Sequence, residues 1–167
     1  DLQAVADVYR DRGYANANVV PMTQVDAKTR IIDIEYEIQP GGLVRFERIE
    51  IAGNTKTRDK VIRRELRIYE GALFSGTGLR QSRQRVTALG FFESVDVTTR
   101  RGSTDELLVA TVEVKERSTG TFQLGAGFSS YENFVLTGQV SQNNFFGWGQ
   151  TLSLLLTAPQ GIDVEYT

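Results

Sequence analysis

Four short stretches of this chain hold residue types that do chemistry elsewhere. Asp7 and Asp11 stand at i and i+4, which puts two carboxylates on one helical face. Such a pair can share a proton, but Arg10 and Arg12 lie beside it and no histidine is available as a partner. An exposed helix surface is the expected reading. "TRDKVIRRELR" (57–67) is basic enough to hold phosphate, yet Asp59 and Glu65 interrupt it as on a solvated helix face. "SGTGLR" (75–80) lacks the Lys-Ser/Thr pair of a phosphate loop and reads as a loop entering a helix. "GAGFSS" (125–130) follows a strand pattern, but a dinucleotide site needs a helix next, and another strand pattern follows instead.

The chain contains no cysteine and no histidine, which removes thiol catalysis, histidine-based triads and nearly all zinc sites. The expectation is a protein that is not an enzyme, with no catalytic, cofactor-binding or metal residues. A net charge of -2 gives no reason to expect nucleic acid as a partner. The position of the charges is more informative than their sum. All 19 basic residues lie between Arg10 and Arg117, and the last 50 residues hold only Glu132, Asp163 and Glu165. That shift places a boundary near Ser118.

The elements ahead of the boundary repeat. Leu2, Val5, Ala6 and Tyr9 share a helical face that ends at Gly13, a residue suited to the left-handed C′ position. Two extended segments follow, the second alternating over Ile32–Ile38 before Pro40-Gly41-Gly42. The same order recurs 76 to 77 residues later: a helix with Leu79, Val86 and Leu89 on one face, Gly90, then extended runs over "ESVDVTT" and Leu107–Val114. The second copy also shows its start. "VRFERIEIAGN" is a strand whose alternation slips between Phe46 and Ile49, which predicts a bulge. Thr57 is the expected N-cap of a helix through Leu66, and the pair Phe91-Phe92 is expected in the core. The unit is therefore strand, helix, helix, strand, strand, an α+β layer of two helices on a three-stranded mixed sheet. Residues 1–42 read as the end of a preceding copy that starts mid-pattern, so the natural start is expected upstream of Asp1 and the partial copy is expected to be less stable alone.

Beyond the boundary, three segments alternate with period two. Phe122, Leu124, Ala126 and Phe128 form the first apolar set, Phe134, Leu136, Gly138 and Val140 the second, and Leu152, Leu154 and Leu156 the third. The opposite faces carry Thr, Ser, Gln and Gly, with no Lys or Arg. A soluble sandwich gives the same alternation but normally sets charge on its outer face. A Lys or Arg facing lipid costs about 2–4 kcal/mol at the bilayer midplane, which accounts for their absence. The first strand runs for about nine residues, within the roughly 9–11 that cross a bilayer. Phe145, Phe146 and Trp148, at the turn "NNFFGWGQ", then read as a membrane-interface girdle. Three strands cannot close a barrel, which takes about eight.

These residues resemble a known family. "VRFERIEIAGNTKTRDKVIRRELRIYEGALFS", "RQRVTALGFFESVDV" and "NNFFGWGQTLSL" are similar to the BamA family of outer-membrane assembly factors, over nearly the whole chain. Gly53, Asn54, Thr57, Asp59, Arg63, Arg64, Glu65, Gly71, Gly90 and Phe92 fall on the family pattern. The resemblance implies tandem POTRA (polypeptide-transport-associated) domains followed by the first strands of a transmembrane antiparallel β-barrel. Residues 1–42 would be the C-terminal part of one POTRA domain, 43–117 a complete one, and 118–167 the start of the barrel. The implied partners are unfolded outer-membrane proteins, accessory assembly lipoproteins and the lipid bilayer, with POTRA domains in the periplasm. The implied strand-pairing edge of the barrel is Phe122, Leu124, Gly125, Ala126, Gly127 and Phe128, and the POTRA edge strand is Val95, Val97 and Thr99. Two-partner secretion transporters and translocation modules share this architecture, and a soluble periplasmic POTRA adaptor remains the alternative outside the membrane.

Overall fold

The strand around Phe46 and the strand around Val112 are both apolar on one face and need a helical cover, and the chain supplies it from the segment between them. In the computed structural model, which describes residues 2–26, 31–129 and 133–158, these pieces form a β-α-α-β-β unit. Its elements are β3 (Arg45–Ala52), α2 (Asp59–Arg63), α3 (Gly76–Ala88), β4 (Phe92–Arg101) and β5 (Leu107–Glu116). The sheet order is β3-β5-β4, with β3 parallel and β4 antiparallel to the central β5. Register slips between Phe46 and Arg48, where the broken alternation predicted a bulge.

Two helices close one face of this sheet. Val61 and Ile62 from α2, Val86 from α3, and Phe46, Ile49, Val95, Ala110, Val112 and Val114 from the strands make one core. Phe91 and Phe92 are buried in it, as their sequence context predicted, with ring centroids 6.2 Å apart. A buried hydroxyl sits among these apolar groups. Ser82 Oγ donates to Gly78 O at 2.7 Å and accepts from Arg67 N at 2.7 Å, so no buried polar group is stranded there.

The first of these helices differs from expectation. α2 ends at Arg63 and not at Leu66, and Thr57 is not its cap: Arg58 is, with no side-chain cap bond. After Arg63 the chain tightens, with Glu65 N bonding Ile62 O and Leu66 N bonding Arg63 O. That tightening lets Leu66 and Ile68 both enter the core, which a continuing helix would not. Thr57 is buried and has other work, described below.

On the N-terminal side, α1 (Leu2–Arg10) precedes the antiparallel pair β1 (Asn18–Asp26) and β2 (Ile31–Gln39). Gly13 takes the φ of +102° expected of a helix-ending glycine. Met22, Ile32 and Ile34 on this pair are exposed. On the C-terminal side, β6 (Gly120–Ser129), β7 (Asn133–Phe145) and β8 (Gln150–Ala158) form a separate antiparallel sheet in the order β6-β7-β8.

Phe46 is 1% exposed and its ring packs against Phe74 with centroids 5.7 Å apart, where β3 meets the segment before α3. Truncating it to alanine is expected to cost about 3–5 kcal/mol, read as a lower urea midpoint at unchanged slope in far-UV circular dichroism.

Candidate functional site

Among the described residues, three features have no structural partner or an unusual one: the face of the C-terminal sheet, two strand edges, and the turn between β7 and β8.

The face follows from register. Phe122 lies opposite Val140, which lies opposite Leu154; Leu124, Gly138 and Leu156 form the next row, and Ala126 faces Leu136. All these apolar residues therefore stand on one side of the sheet. Phe122 is 67% and Leu124 76% exposed. An open groove of about 480 Å³ runs between Leu124, Ala126, Leu136, Gly138 and Leu156. The other side carries Thr121, Ser141 and Ser153 in one row and Gly125, Thr137 and Thr157 in another.

The edges differ in how they are covered. β3 is closed by the segment before α3: Phe46 N donates to Ala72 O at 2.9 Å, Gly71 N to Phe46 O at 2.6 Å and Phe74 N to Val44 O at 2.9 Å. Ile49 N donates to Glu70 Oε1 at 3.0 Å, and Ile49 O accepts from Arg63 Nη2 at 2.9 Å. β4 lies at the opposite edge, where Arg83 Nε donating to Val95 O at 3.0 Å is a single side-chain bond. Val95 is buried, Val97 packs partly on the core and Thr99 is exposed. Likewise β6, which holds Phe122, Leu124, Gly125, Ala126, Gly127 and Phe128, pairs with β7 on one side only among the described residues. A Cβ at Gly127 would meet open space.

The turn after β7 has partners that the sequence did not show. Phe145, Phe146 and Trp148 were expected to form a membrane-interface girdle, in a stretch with no nearby Lys or Arg. In space, three basic residues are close. The Trp148 ring centroid lies 3.7 Å from Arg58 Cζ and 3.8 Å from Lys60 Nζ, so the ring is held by cations of the α+β unit. Phe145 and Phe146 pack on each other with centroids 4.3 Å apart, and Phe146 remains 77% exposed. Asn144 Nδ2 donates to Thr57 Oγ1 at 2.7 Å, Arg58 N donates to Gly147 O at 3.1 Å, and Gly149 lies against Arg64. Sequence reasoning missed Arg58, Lys60, Asn144 and Thr57 as a group. The available signal was Asn144 among closely spaced glycines, a pattern suited to positive φ.

Three carboxylates tie the elements together. Glu116, at the end of β5, accepts from Thr55 Oγ1 at 2.7 Å, Lys56 N at 2.9 Å and Thr57 N at 2.6 Å. Burial pushes its carboxyl up, but the bonds from Thr57, Thr55 and Lys56 outweigh that and leave its pKa below the ordinary value. Asp7 and Asp11, read from sequence as exposed helix surface, are half-buried and exposed respectively, and they also tie α1 and the residue after it to the start of α3. Asp7 pairs with Arg80 at 2.9 Å, and Asp11 Oδ1 accepts from Thr77 N at 2.9 Å and Ser75 Oγ at 3.0 Å. Burial raises the Asp11 pKa, and the Thr77 and Ser75 bonds with the Arg80 charge lower it further than that. The basic run 57–67 was expected as a solvated helix face; within it Arg63 is exposed and pairs with Asp59 and Glu70. "SGTGLR" does enter α3, with Ser75 as its N-cap.

Comparison with known proteins agrees with this geometry. Residues 44–117 match the POTRA family, described as "Surface antigen variable number repeat". The outer membrane protein assembly factor BamA of Nitratidesulfovibrio vulgaris is 36% identical over 92% of this chain, which spans 20% of that protein. The crystal structure of BamA from Haemophilus ducreyi lacking POTRA domains 1–3 superposes with a TM-score of 0.86 at 28% identity, over 93% of this chain and 29% of that one. CdiB from Escherichia coli superposes at 0.55 with 19% identity, over 93% of this chain and 28% of that one, a likeness of fold alone. The chain spans about a fifth of the length of the curated relatives it matches.

The Glu116 carboxylate has a testable pH signature. A depressed folded-state pKa stabilises above the unfolded value of about 4.3 and loses that contribution as pH falls through the folded value. Glu116→Gln is expected to lower stability at pH 7 and to flatten the acid limb of a melting-temperature profile below about pH 4.3.

Proposed function

This chain is a BamA-like POTRA region, and on that premise we propose that it serves the assembly and insertion of β-barrel proteins into the bacterial outer membrane. In this reading residues 1–42 end one POTRA domain, 43–117 form the last one before the membrane, and 118–167 begin the barrel. The POTRA domains stand in the periplasm, where they meet unfolded outer-membrane proteins and accessory assembly lipoproteins.

The observation that carries the reading is the uncovered apolar face of β6–β8, joined by residues 117–119 to the POTRA fold. Its strands have 10, 13 and 9 residues, enough to cross a hydrocarbon layer that takes about 9–11 tilted residues. Hydrocarbon covers such a face without a protein partner.

The work is templating, with no bond made or broken. A strand edge offers backbone donors and acceptors that pair with any extended chain, largely independent of its side chains. That suits a machine with many clients. β6 is the candidate gate edge: Gly125 and Gly127 weaken its side-chain packing and let another backbone approach closely. β4 is the candidate POTRA edge, because β3 is already covered and β4 is open beyond Val95.

Single cysteines at positions 122–128, tested against a stalled client carrying a cysteine in its terminal strand, are expected to give disulfide adducts. Adducts confined to other strands would remove β6 from the role. Val97→Pro removes one backbone donor from the β4 edge region. Client capture by the periplasmic domain should then fall by more than the loss of thermal stability explains. Equal losses would assign β4 a structural role only.

A further inference from the structure

A polar cavity of about 200 Å³ lies where the α+β domain meets the start of β6 and the end of β7. Lys56, Thr57 and Arg117 line it from the domain, and Thr119, Gln142 and Asn144 from the sheet. Most of its polar groups are already bonded. Gln142 Nε2 donates to Thr119 Oγ1 at 2.7 Å, and Asn144 Nδ2 to Thr57 Oγ1 at 2.7 Å. Glu116, the one carboxylate in the lining, accepts from Thr55 Oγ1, Lys56 N and Thr57 N. The two cations differ. The Lys56 side chain has no ion-pair partner among the described residues, and Arg117 gives only its Nε, to Gly90 O at 2.8 Å. Both are exposed. The site is therefore small, polar and positive, with donors to spare and its one acid engaged.

The cavity lies below the apolar face of the sheet. Gln142 stands opposite Gly120 and Leu152, so it shares a side of the sheet with Phe122, Val140 and Leu154, one row further on. At about 3.4 Å per residue, that row begins about 7 Å from Gln142, and the row of Leu124, Gly138 and Leu156 about 14 Å from it. Gly138 has no side chain between its two leucine neighbours, and the hollow it leaves belongs to the open apolar groove of about 480 Å³. Two more cations adjoin the cavity, since Arg58 and Lys60 flank Trp148 on the turn that Asn144 begins. A positive polar site and an apolar groove on one side of one sheet match an amphiphile with an anionic head.

We propose that the cavity and the groove together hold one anionic glycerophospholipid, its phosphodiester at Lys56 and Arg117 and an acyl chain in the hollow over Gly138. The inference rests on the reading that β6–β8 faces hydrocarbon, which sets the cavity at the periplasmic boundary of the bilayer. Arginine offers a phosphate paired donors and lysine a point charge. Charge selects the head group: a zwitterionic one brings an ammonium that the same cations repel. The groove selects a lipid over a free phosphate ester, which has no apolar part to place there.

Native mass spectrometry of the full-length protein, released from nanodiscs holding phosphatidylglycerol and phosphatidylethanolamine of matched chain length, counts the lipids it keeps. Preferential retention of one phosphatidylglycerol is expected. Lys56→Gln and Arg117→Gln are each expected to lower that retention about fivefold, the effect of removing one cation near a lipid surface. Lys56→Arg with Arg117→Lys keeps both charges and should retain the lipid. Gly138→Leu fills the hollow and should lower retention with the cations in place. Arg100→Gln with Arg101→Gln removes the same charge at the far end of β4 and should change nothing. Melting temperatures establish that each variant is folded. Equal retention of the two lipids, or retention that neither the cation variants nor Gly138→Leu reduce, overturns the proposal and leaves the sheet in its membrane. Displacement of the lipid by glycerol 3-phosphate makes the cavity a site for free phosphate esters and overturns it too. A full-length protein that keeps no lipid of either kind overturns the membrane reading as well, so the two failures are told apart.

Discussion

A sheet with one apolar face must set that face against something other than water, and the chain has nothing to cover β6–β8 among its described residues. The sheet's hydrogen bonds do not remove the problem, because a few strands in isolation are at best marginal in water. Phe122, Leu124, Leu136, Val140, Leu154 and Leu156 stand in adjoining rows on that face. Burying such side chains fully contributes about 1.5–3 kcal/mol each, so the six together are worth on the order of 10 kcal/mol. That is comparable to the whole stability of an ordinary domain. The organisation of the chain follows from this term: no Lys or Arg after Arg117, small polar residues on the opposite face, and a charge-rich domain next to it that needs no such cover.

The α+β domain meets the opposite demand, since it is closed within itself. Its core draws on both helices and all three strands, and its buried hydroxyls at Ser82 and Thr57 are bonded. No buried side-chain polar atom among the described residues lacks a partner. The helices cover one sheet face, and the segment before α3 covers the β3 edge. What remains open is β4, at the side of the sheet away from that cover. An edge left open in an otherwise closed domain is a hazard that proteins usually blunt, so an open one points to use.

Features that depend on near neighbours in sequence were legible before the structure. The period-two runs gave β4 through β8, the slip between Phe46 and Ile49 gave the bulge, and Gly13, Gly53 and Gly90 have the positive φ that suits a chain reversal. Features that depend on distant partners were not. Thr57 looked like a helix cap because serine and threonine at such positions usually are, but its hydroxyl is engaged by Asn144, 87 residues away. Trp148 looked like a bilayer anchor because its sequence neighbours are uncharged, while its cations come from α2. Asp7 and Asp11 looked solvated, and their partners sit on α3, more than sixty residues on. In each case the partner lies far away in sequence, where local pattern does not reach.

Register brings the two candidate pairing edges together at the same end of the domain. Phe92, at the start of β4, lies opposite Glu116, at the end of β5. Three residues, 117–119, then lead to Gly120 at the start of β6. Extended chain spans at most about 3.3–3.6 Å per residue, so that connection reaches only on the order of 10 Å. An extended segment paired along β4 would therefore end close to where β6 begins. Whether it continues onto β6 depends on the angle between the two sheets. The turn between β7 and β8 meets the start of α2 beside that connection, through Trp148, Arg58 and Lys60.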